Sequence, residues 1–565
     1  MSSSWRLRGS WRLRGSGRLR GSGRRPAAAS AGKLAPALAA PVVVAPVAVA
    51  TVLLAGCTGS SGGSHASSPL SPGASSAGAS GLGIASGGSA LHWGSCPSAE
   101  VNGAPDASKL RCSSLRVPLN YKQPSGRTIS IVVSELPATA PASQQQGALL
   151  VNPGGPGASG LSLAGEVASV LSPSVASEYD IIGFDTRGVG SSSPSLHCDP
   201  SFFSRPRPEY DPANAQAEQV LIDRAKMYAA DCEKNFGWLL PYMTTQDNAR
   251  DMDSIRAALG VQKISYLGYS YGTYLGQVYA TMFPTRIRRM VLDSVVDPEG
   301  AWYQDNIDQD YAFQGRMDAF FAWTAAANST FHLGATAAQV QAAFARAGAK
   351  LEAHPLAGPS GPLVGPDELS DTFLAGGYSN SFWPYMASAL ASYLNAGSGS
   401  DLVQLYQQIG VQGENEFAVY NAVECSDVNW PRSWATWNTD MRKANVTAPY
   451  ETWANTWFNA ACAFWPVKGP AQPVHIDGSG LPPILMLQGT LDPATPYQGA
   501  LVARRLLPSA RMVVVEGGGN HGQSLSSPSN PCVLGYLNGY LGNGSLPAGT
   551  GMVSATCPAL PAPSP

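Results

Sequence analysis

The sequence predicts an α/β fold: a mostly parallel central sheet flanked by helices, with a large helical segment inserted into it. Two observations carry this. First, short apolar runs recur and each ends in a turn rich in Gly. Residues 148–151 precede Asn152-Pro153-Gly154-Gly155-Pro156-Gly157, and 179–184 precede Asp185-Thr186-Arg187-Gly188-Val189-Gly190. Residues 263–267 precede Gly268-Tyr269-Ser270-Tyr271-Gly272, 483–488 precede Gly489-Thr490-Leu491-Asp492, and 511–516 precede Gly517-Gly518-Gly519-Asn520-His521-Gly522. Apolar runs of this length read as strands buried on both faces. Second, the rhythm stops across 301–480, where amphipathic stretches such as 337–351 take over. That segment holds nine of the 13 Trp, and these are expected mainly as its own core.

The chain of 565 residues is long enough for a large core with insertions. Residues 1–56 contain eight Arg, one Lys and no acid; taking those nine charges from the net −2 leaves a body of −11. An acidic body argues against nucleic acid as a partner. The N-terminus reads as an address. Arg-Leu-Arg-Gly-Ser occurs three times, followed by an apolar run that ends in Leu54-Ala55-Gly56-Cys57. A basic start, an apolar run and small residues before a cleavage point make an export signal over 1–56. The ending resembles the lipobox of bacterial lipoproteins, in which Cys57 would carry lipid; a plain signal peptide or a single membrane anchor is the alternative. Residues 57–90, built from Gly, Ser and Ala, are expected as a flexible tether. The folded body then divides into a first core part (91–300), the helical insertion (301–480) and a C-terminal core part (481–565).

Without Cys57, eight Cys remain. Proximity suggests Cys96 with Cys112, Cys198 with Cys232, Cys425 with Cys462 and Cys532 with Cys557. Disulfides agree with export. No Cys or His spacing suits a metal, and no cofactor is expected.

Ser270 is the candidate nucleophile. A strand before it and a helix after it, expected over 273–283, turn Gly-x-Ser-x-Gly into a sharp bend that presents the Ser Oγ. The N–H of Tyr271 can then face an oxyanion, with the N–H of Gly155 as the second donor. Of the seven His, only His521 sits on a Gly-rich loop after a late strand, as a general base should. Asp492 is the candidate acid that orients it. Asp293 and Asp297, at the end of an earlier strand, compete for that role. Asp185 and Arg187 are expected to brace their turn by ion pairing.

Together these motifs resemble the α/β hydrolases, and within them the tripeptidyl aminopeptidases of actinomycetes, relatives of the prolyl aminopeptidases. The resemblance spans about residues 90–560. It implies a helical lid between core strands six and seven, and release of short peptides from free N-termini. It also implies a lid acid that receives the substrate ammonium, for which Glu424 is the candidate. Two rivals stay open at this point. One is an esterase or lipase on the same triad; the other is a non-catalytic surface lipoprotein. Haloalkane and epoxide chemistry is disfavoured, because those relatives carry Asp where Ser270 stands. Oligomeric state is not predicted.

Overall fold

Runs of Val, Ile and Leu build the sheet. The computed structural model describes residues 84–86, 91–358 and 361–565; the expected export segment, Cys57 and all of the tether but 84–86 lie outside the described residues. Nine strands organise the core: β1 (Arg111–Pro118), β2 (Thr128–Leu136), β3 (Gly147–Asn152), β4 (Tyr179–Phe184), β5 (Ile264–Tyr269), β6 (Ile287–Asp293), β7 (Ile484–Gly489), β8 (Arg511–Glu516) and β9 (Ala555–Pro558). Their spatial order is β1-β2-β4-β3-β5-β6-β7-β8-β9. The pairs β1/β2 and β2/β4 are antiparallel, and every pair from β4/β3 onward is parallel. Every residue of β5 and of β7 is buried, as expected for strands covered on both faces. The short strand Ile84–Ser86 falls within the stretch expected as a tether and pairs in parallel with β1.

The parallel order places the carboxyl ends of β3, β5, β6, β7 and β8 along one rim. Ligand sites in open α/β sheets form along that rim. Directly after β5 comes the helix Tyr271–Met282, buried from Tyr271 through Ala280.

Between β6 and β7 the described residues add no strand to this sheet. The chain runs instead through helices, among them Tyr303–Ala326, Ala337–Ala353, Pro366–Tyr378, Trp383–Asn395, Glu414–Asp427, Trp434–Asn445 and Thr452–Asn459. Ala337–Ala353 starts at Thr336, whose hydroxyl accepts from Gln339 N, and it buries Val340, Ala343, Ala347 and Leu351 on one stripe. The insert has two apolar centres. One gathers Phe320, Phe373, Met386 and Leu390. The other is a stacked run of Trp453, Trp457, Trp434, Trp437 and Trp430, continuous with the main core. These Trp serve packing, as expected.

The bracing at 185–190 differs from the expectation. Arg187 pairs with Asp251, not Asp185, through Nε–Oδ2 at 2.7 Å and Nη2–Oδ1 at 2.8 Å. Its remaining N–H groups go to Leu119, Tyr242 and Pro118 carbonyls, so all five donors of this fully buried guanidinium are used. Asp185 instead accepts from Ser159 Oγ, Gly160 N and Ser191 N, and burial pushes its carboxyl up to about 7.

All four expected disulfides are formed. Among the described residues no helix is long and apolar enough to cross a membrane. Cys425–Cys462 closes a loop across the insert with a sequence separation of 37. Loop closure of that length contributes about 3–4 kcal/mol. The double variant Cys425→Ala/Cys462→Ala should therefore lose roughly that much unfolding free energy in a denaturant titration. An unchanged midpoint would show that helix packing alone holds the insert.

Candidate active site

At the end of β5 the chain turns into a helix within one residue. Ser270 makes the turn, with φ 55° and ψ −128°. A non-Gly residue in such backbone is held there at a cost of about 1–3 kcal/mol. Close packing around it accounts for the flanking glycines. A Cβ on Gly272 would lie 2.8 Å from both Asn152 O and Asn152 Oδ1. A Cβ on Gly268 would collide with Gly272 O, and one on Gly154 would lie 2.9 Å from Ser270 Cβ and 3.1 Å from Tyr271 N. The 152–157 loop is thus pressed against the Ser270 turn. Gly154 N–H donates to Asn152 Oδ1 at 3.1 Å, so Gly155 supplies the next N–H of that loop. Tyr271 is the first helical residue, where a backbone N–H lacks an intrahelical acceptor.

His521 and Asp492 meet directly. His521 Nδ1 lies 2.9 Å from Asp492 Oδ1 and 3.1 Å from Oδ2. Asp492 Oδ1 also accepts from Ala494 N and Thr495 N. The imidazole is enclosed, with a side-chain exposure of 3%, and its Nε2 has no protein partner. With Nδ1–H given to the carboxylate, Nε2 is the free basic nitrogen.

The end of β6 brings the Ser turn and the His loop together. Ser270 N–H donates to Asp293 O at 3.2 Å, and Gly522 N–H donates to Ser294 Oγ at 2.8 Å. The Asp293 carboxylate accepts from Gln523 N, Ser524 N and Ser524 Oγ. Asp293 therefore holds the loop beyond His521, while Asp492 holds the imidazole. Burial raises the Asp293 carboxyl to about 6. Asp297 sits elsewhere, accepting from Glu299 N and lying against Gly499.

Glu424 lies on Glu414–Asp427 and is 3% exposed. Asn306 Nδ2 donates to it at 3.3 Å, and Tyr420 is its other side-chain partner. Burial pushes its carboxyl well above the usual range. Two further acids escaped the sequence reading. Glu416 lies on the same helix with its backbone against Gly157, and burial raises it to about 7. Glu451 is likewise raised well above the carboxylate range by burial. Among the described residues none of these three acids is in a salt bridge. The charges of Glu451, Asp492 and Glu416 all bear on the buried phenol of Tyr378, whose ring meets that of His521 at 5.5 Å. Tyr378 and Arg316, beside the His loop, were also missed. Helical periodicity marks such residues as inward-facing but says nothing of what they face. Among the described residues no cluster of three His, Cys, Asp or Glu is placed to hold a metal ion.

Residues 147–526 match the alpha/beta hydrolase fold family. Over 460 residues the chain is 41% identical to a tripeptidyl aminopeptidase of Streptomyces coelicolor, covering 79% of this chain and 83% of that protein. It is 30% identical over 487 residues to the serine protease Hip1 of Mycobacterium tuberculosis, covering 81% and 90%. It is 32% identical over 477 residues to a carboxylesterase B of the same species, covering 80% and 88%.

The turn geometry is open to test without any substrate. Gly272→Ala must displace Asn152 or the turn itself, and overpacking of this kind costs about 1–3 kcal/mol. A lowered denaturant midpoint of that size is expected. A midpoint equal to the parent's would mean that the turn has room for a methyl group.

Proposed function

The chain belongs to the α/β-hydrolase family and is a serine hydrolase, and from that premise we propose that it is an exported aminopeptidase releasing short peptides, tripeptides foremost, from free N-termini. The observation that carries the chemistry is the His521–Asp492 pair, with Nε2 vacant on the loop that β6 ties to the Ser270 turn.

In this reading Ser270 Oγ attacks the scissile carbonyl while His521 Nε2 takes its proton. Asp492 holds the imidazole by Nδ1 and stabilises the imidazolium. The N–H groups of Gly155 and Tyr271 receive the oxyanion. His521 then protonates the leaving amine. Water, deprotonated by the same nitrogen, resolves the acyl-enzyme and frees the peptide. No metal or organic cofactor takes part.

Recognition of a free amine is supported by the uncompensated acids. Desolvated carboxyls without a cation partner are costly to ionise. A peptide ammonium supplies the missing charge and strengthens the hydrogen bonds it makes. Glu424, whose charge bears on Tyr420, is the proposed receiver, with Glu416 and Glu451 adding negative potential around Tyr378. The 301–480 segment acts as the lid that bounds the peptide. The N-terminal segment would export the chain, with Cys57 lipidated and the body held at the outer membrane face by that anchor. The similarity to a carboxylesterase keeps ester hydrolysis as the second reading.

Three outcomes test this. Ser270→Ala should lose at least about 10³-fold in kcat/KM and all labelling by a fluorophosphonate. Turnover that survived the change would end the triad reading. Glu424→Gln should raise KM about tenfold or more for free-amine peptides and leave N-acetylated ester substrates alone. The pH dependence follows from Glu416. Its carboxyl is neutral below about 7 and charged above, so the kcat/KM ratio of free-amine to N-acetylated substrate should rise as pH passes from 6 to 7.5. A flat ratio, or equal turnover of acetylated peptides, would favour the esterase reading.

A further inference from the structure

One cation stands beside the candidate triad without a carboxylate of its own. Arg316, on the insert helix Tyr303–Ala326, is 5% exposed, and among the described residues it makes no salt bridge. Its Nε donates to Gly377 O at 3.4 Å, its Nη2 donates to Asn380 Oδ1, and its guanidinium lies 5.0 Å from the centre of the Trp383 ring. The other side of the guanidinium faces the His loop. A Cβ on Gly519 would fall on the Arg316 guanidinium. Gly519 is not in left-handed backbone, so the approach of Arg316, not the turn, leaves no room there for a side chain.

The same patch of the insert grips the loop through its backbone. His521 N–H donates to Tyr378 O at 2.8 Å, and Asn380 N–H donates to Asn520 Oδ1 at 3.0 Å. The loop bearing the acid is tied in as well, through Leu491 N–H to Gly518 O at 2.8 Å.

We propose that Arg316 is a positioning residue for the Asp492–His521 pair, fixing the 517–522 loop by contact and holding an unpaired positive charge beside the two side chains. This rests on the triad reading given above. Burial lowers Arg316 to about 10, and Asp492 is the charge that opposes this, so the guanidinium stays ionised at neutral pH and its field reaches the acid. The titratable and charged groups around the pair are then Asp293 from the core and Arg316 and the Tyr378 phenol from the insert, with the charges of Glu416 and Glu451 bearing on Tyr378. Of these only Arg316 is a cation.

The test is the pH profile of Ser270 labelling by a fluorophosphonate, which needs no knowledge of the natural substrate. Arg316→Met should move the acid limb of that profile up by about one pH unit, because a cation beside the pair is lost. Its plateau rate should fall about tenfold as the loop loosens. Arg316→Lys should keep the acid limb within a few tenths of a unit while its plateau falls, since an ammonium keeps the charge and loses the fork. Gly519→Ala, which displaces the guanidinium without removing it, should lower the plateau in a protein that still melts cooperatively. An Arg316→Met profile that coincides with the parent's would overturn the proposal. Should that variant fail to fold, parent-like plateaus in both Arg316→Lys and Gly519→Ala would overturn it equally. A parent chain that takes no label at Ser270 would overturn the triad reading itself, and the role of Arg316 with it.

Discussion

The turn at Ser270 is the constraint from which the rest of the site is arranged. A strand buried along its whole length must reverse into a buried helix within one residue, at φ 55°. Nothing inside 268–272 relieves that strain. It is held by neighbours: Asp293 O on the Ser270 N–H, Thr273 N and Oγ1 on Ser270 O, and the 152–157 loop pressed against the bend. Asp293 and the 152–157 loop come from the ends of two other strands, β6 and β3, and Thr273 from the helix that follows the turn. The parallel order of β3, β5 and β6 is therefore what makes the turn possible, and the turn is what lifts a hydroxyl above the sheet. Strain of this kind persists only where the surroundings over-determine it.

Much of this was legible in the sequence, for a physical reason. Where backbones approach to van der Waals contact, only Gly fits, and Gly in a row after an apolar run leaves a visible mark. Gly154, Gly268 and Gly272 are each such a case. The Cys pairs were legible because each closes a short loop. Asp492 and Asp293 both lie at strand ends between Ser270 and His521 in the chain, so chain order does not separate them. The structure does: Asp293 already has its oxygens taken by Gln523 N, Ser524 N and Ser524 Oγ, while Asp492 meets His521 Nδ1. The partner of Arg187 was misread because Asp185 is near in sequence, whereas Asp251 comes from a helix 64 positions on. A buried pair between distant elements has no local signature.

The insert was legible as helices and little more. Its amphipathic pattern marks Phe320, Arg316 and Glu424 alike as facing inward. Inward has two meanings here. One set of helices encloses its own apolar centre, and the other shares the main core through the Trp stack. The insert also buries groups with chemical interest, and their meaning comes from burial combined with missing partners. Glu416, Glu424 and Glu451 are desolvated without cations, and Arg316 is desolvated without an anion of its own. No periodicity reports a missing partner.

Those unmatched charges are arranged with a direction. The cation lies against the His521 loop within reach of Asp492, while Glu416 and Glu451 bear on Tyr378 and Glu424 on Tyr420. Buried charges such as these are screened little by salt. On the proposed reading, a peptide entering with its ammonium toward the acids gains on both counts. Its positive end meets negative potential, and its carbonyl is left near Ser270 and the Gly155 and Tyr271 N–H groups. The reverse orientation would bring a carboxylate to the acids and is disfavoured by like-charge repulsion and by desolvation. An ester without an ammonium gains nothing from the acids but loses nothing at the triad. On that reading the core would decide that a carbonyl can be attacked, and the charges of the insert would decide which end of which molecule presents it, which separates the two readings of the site.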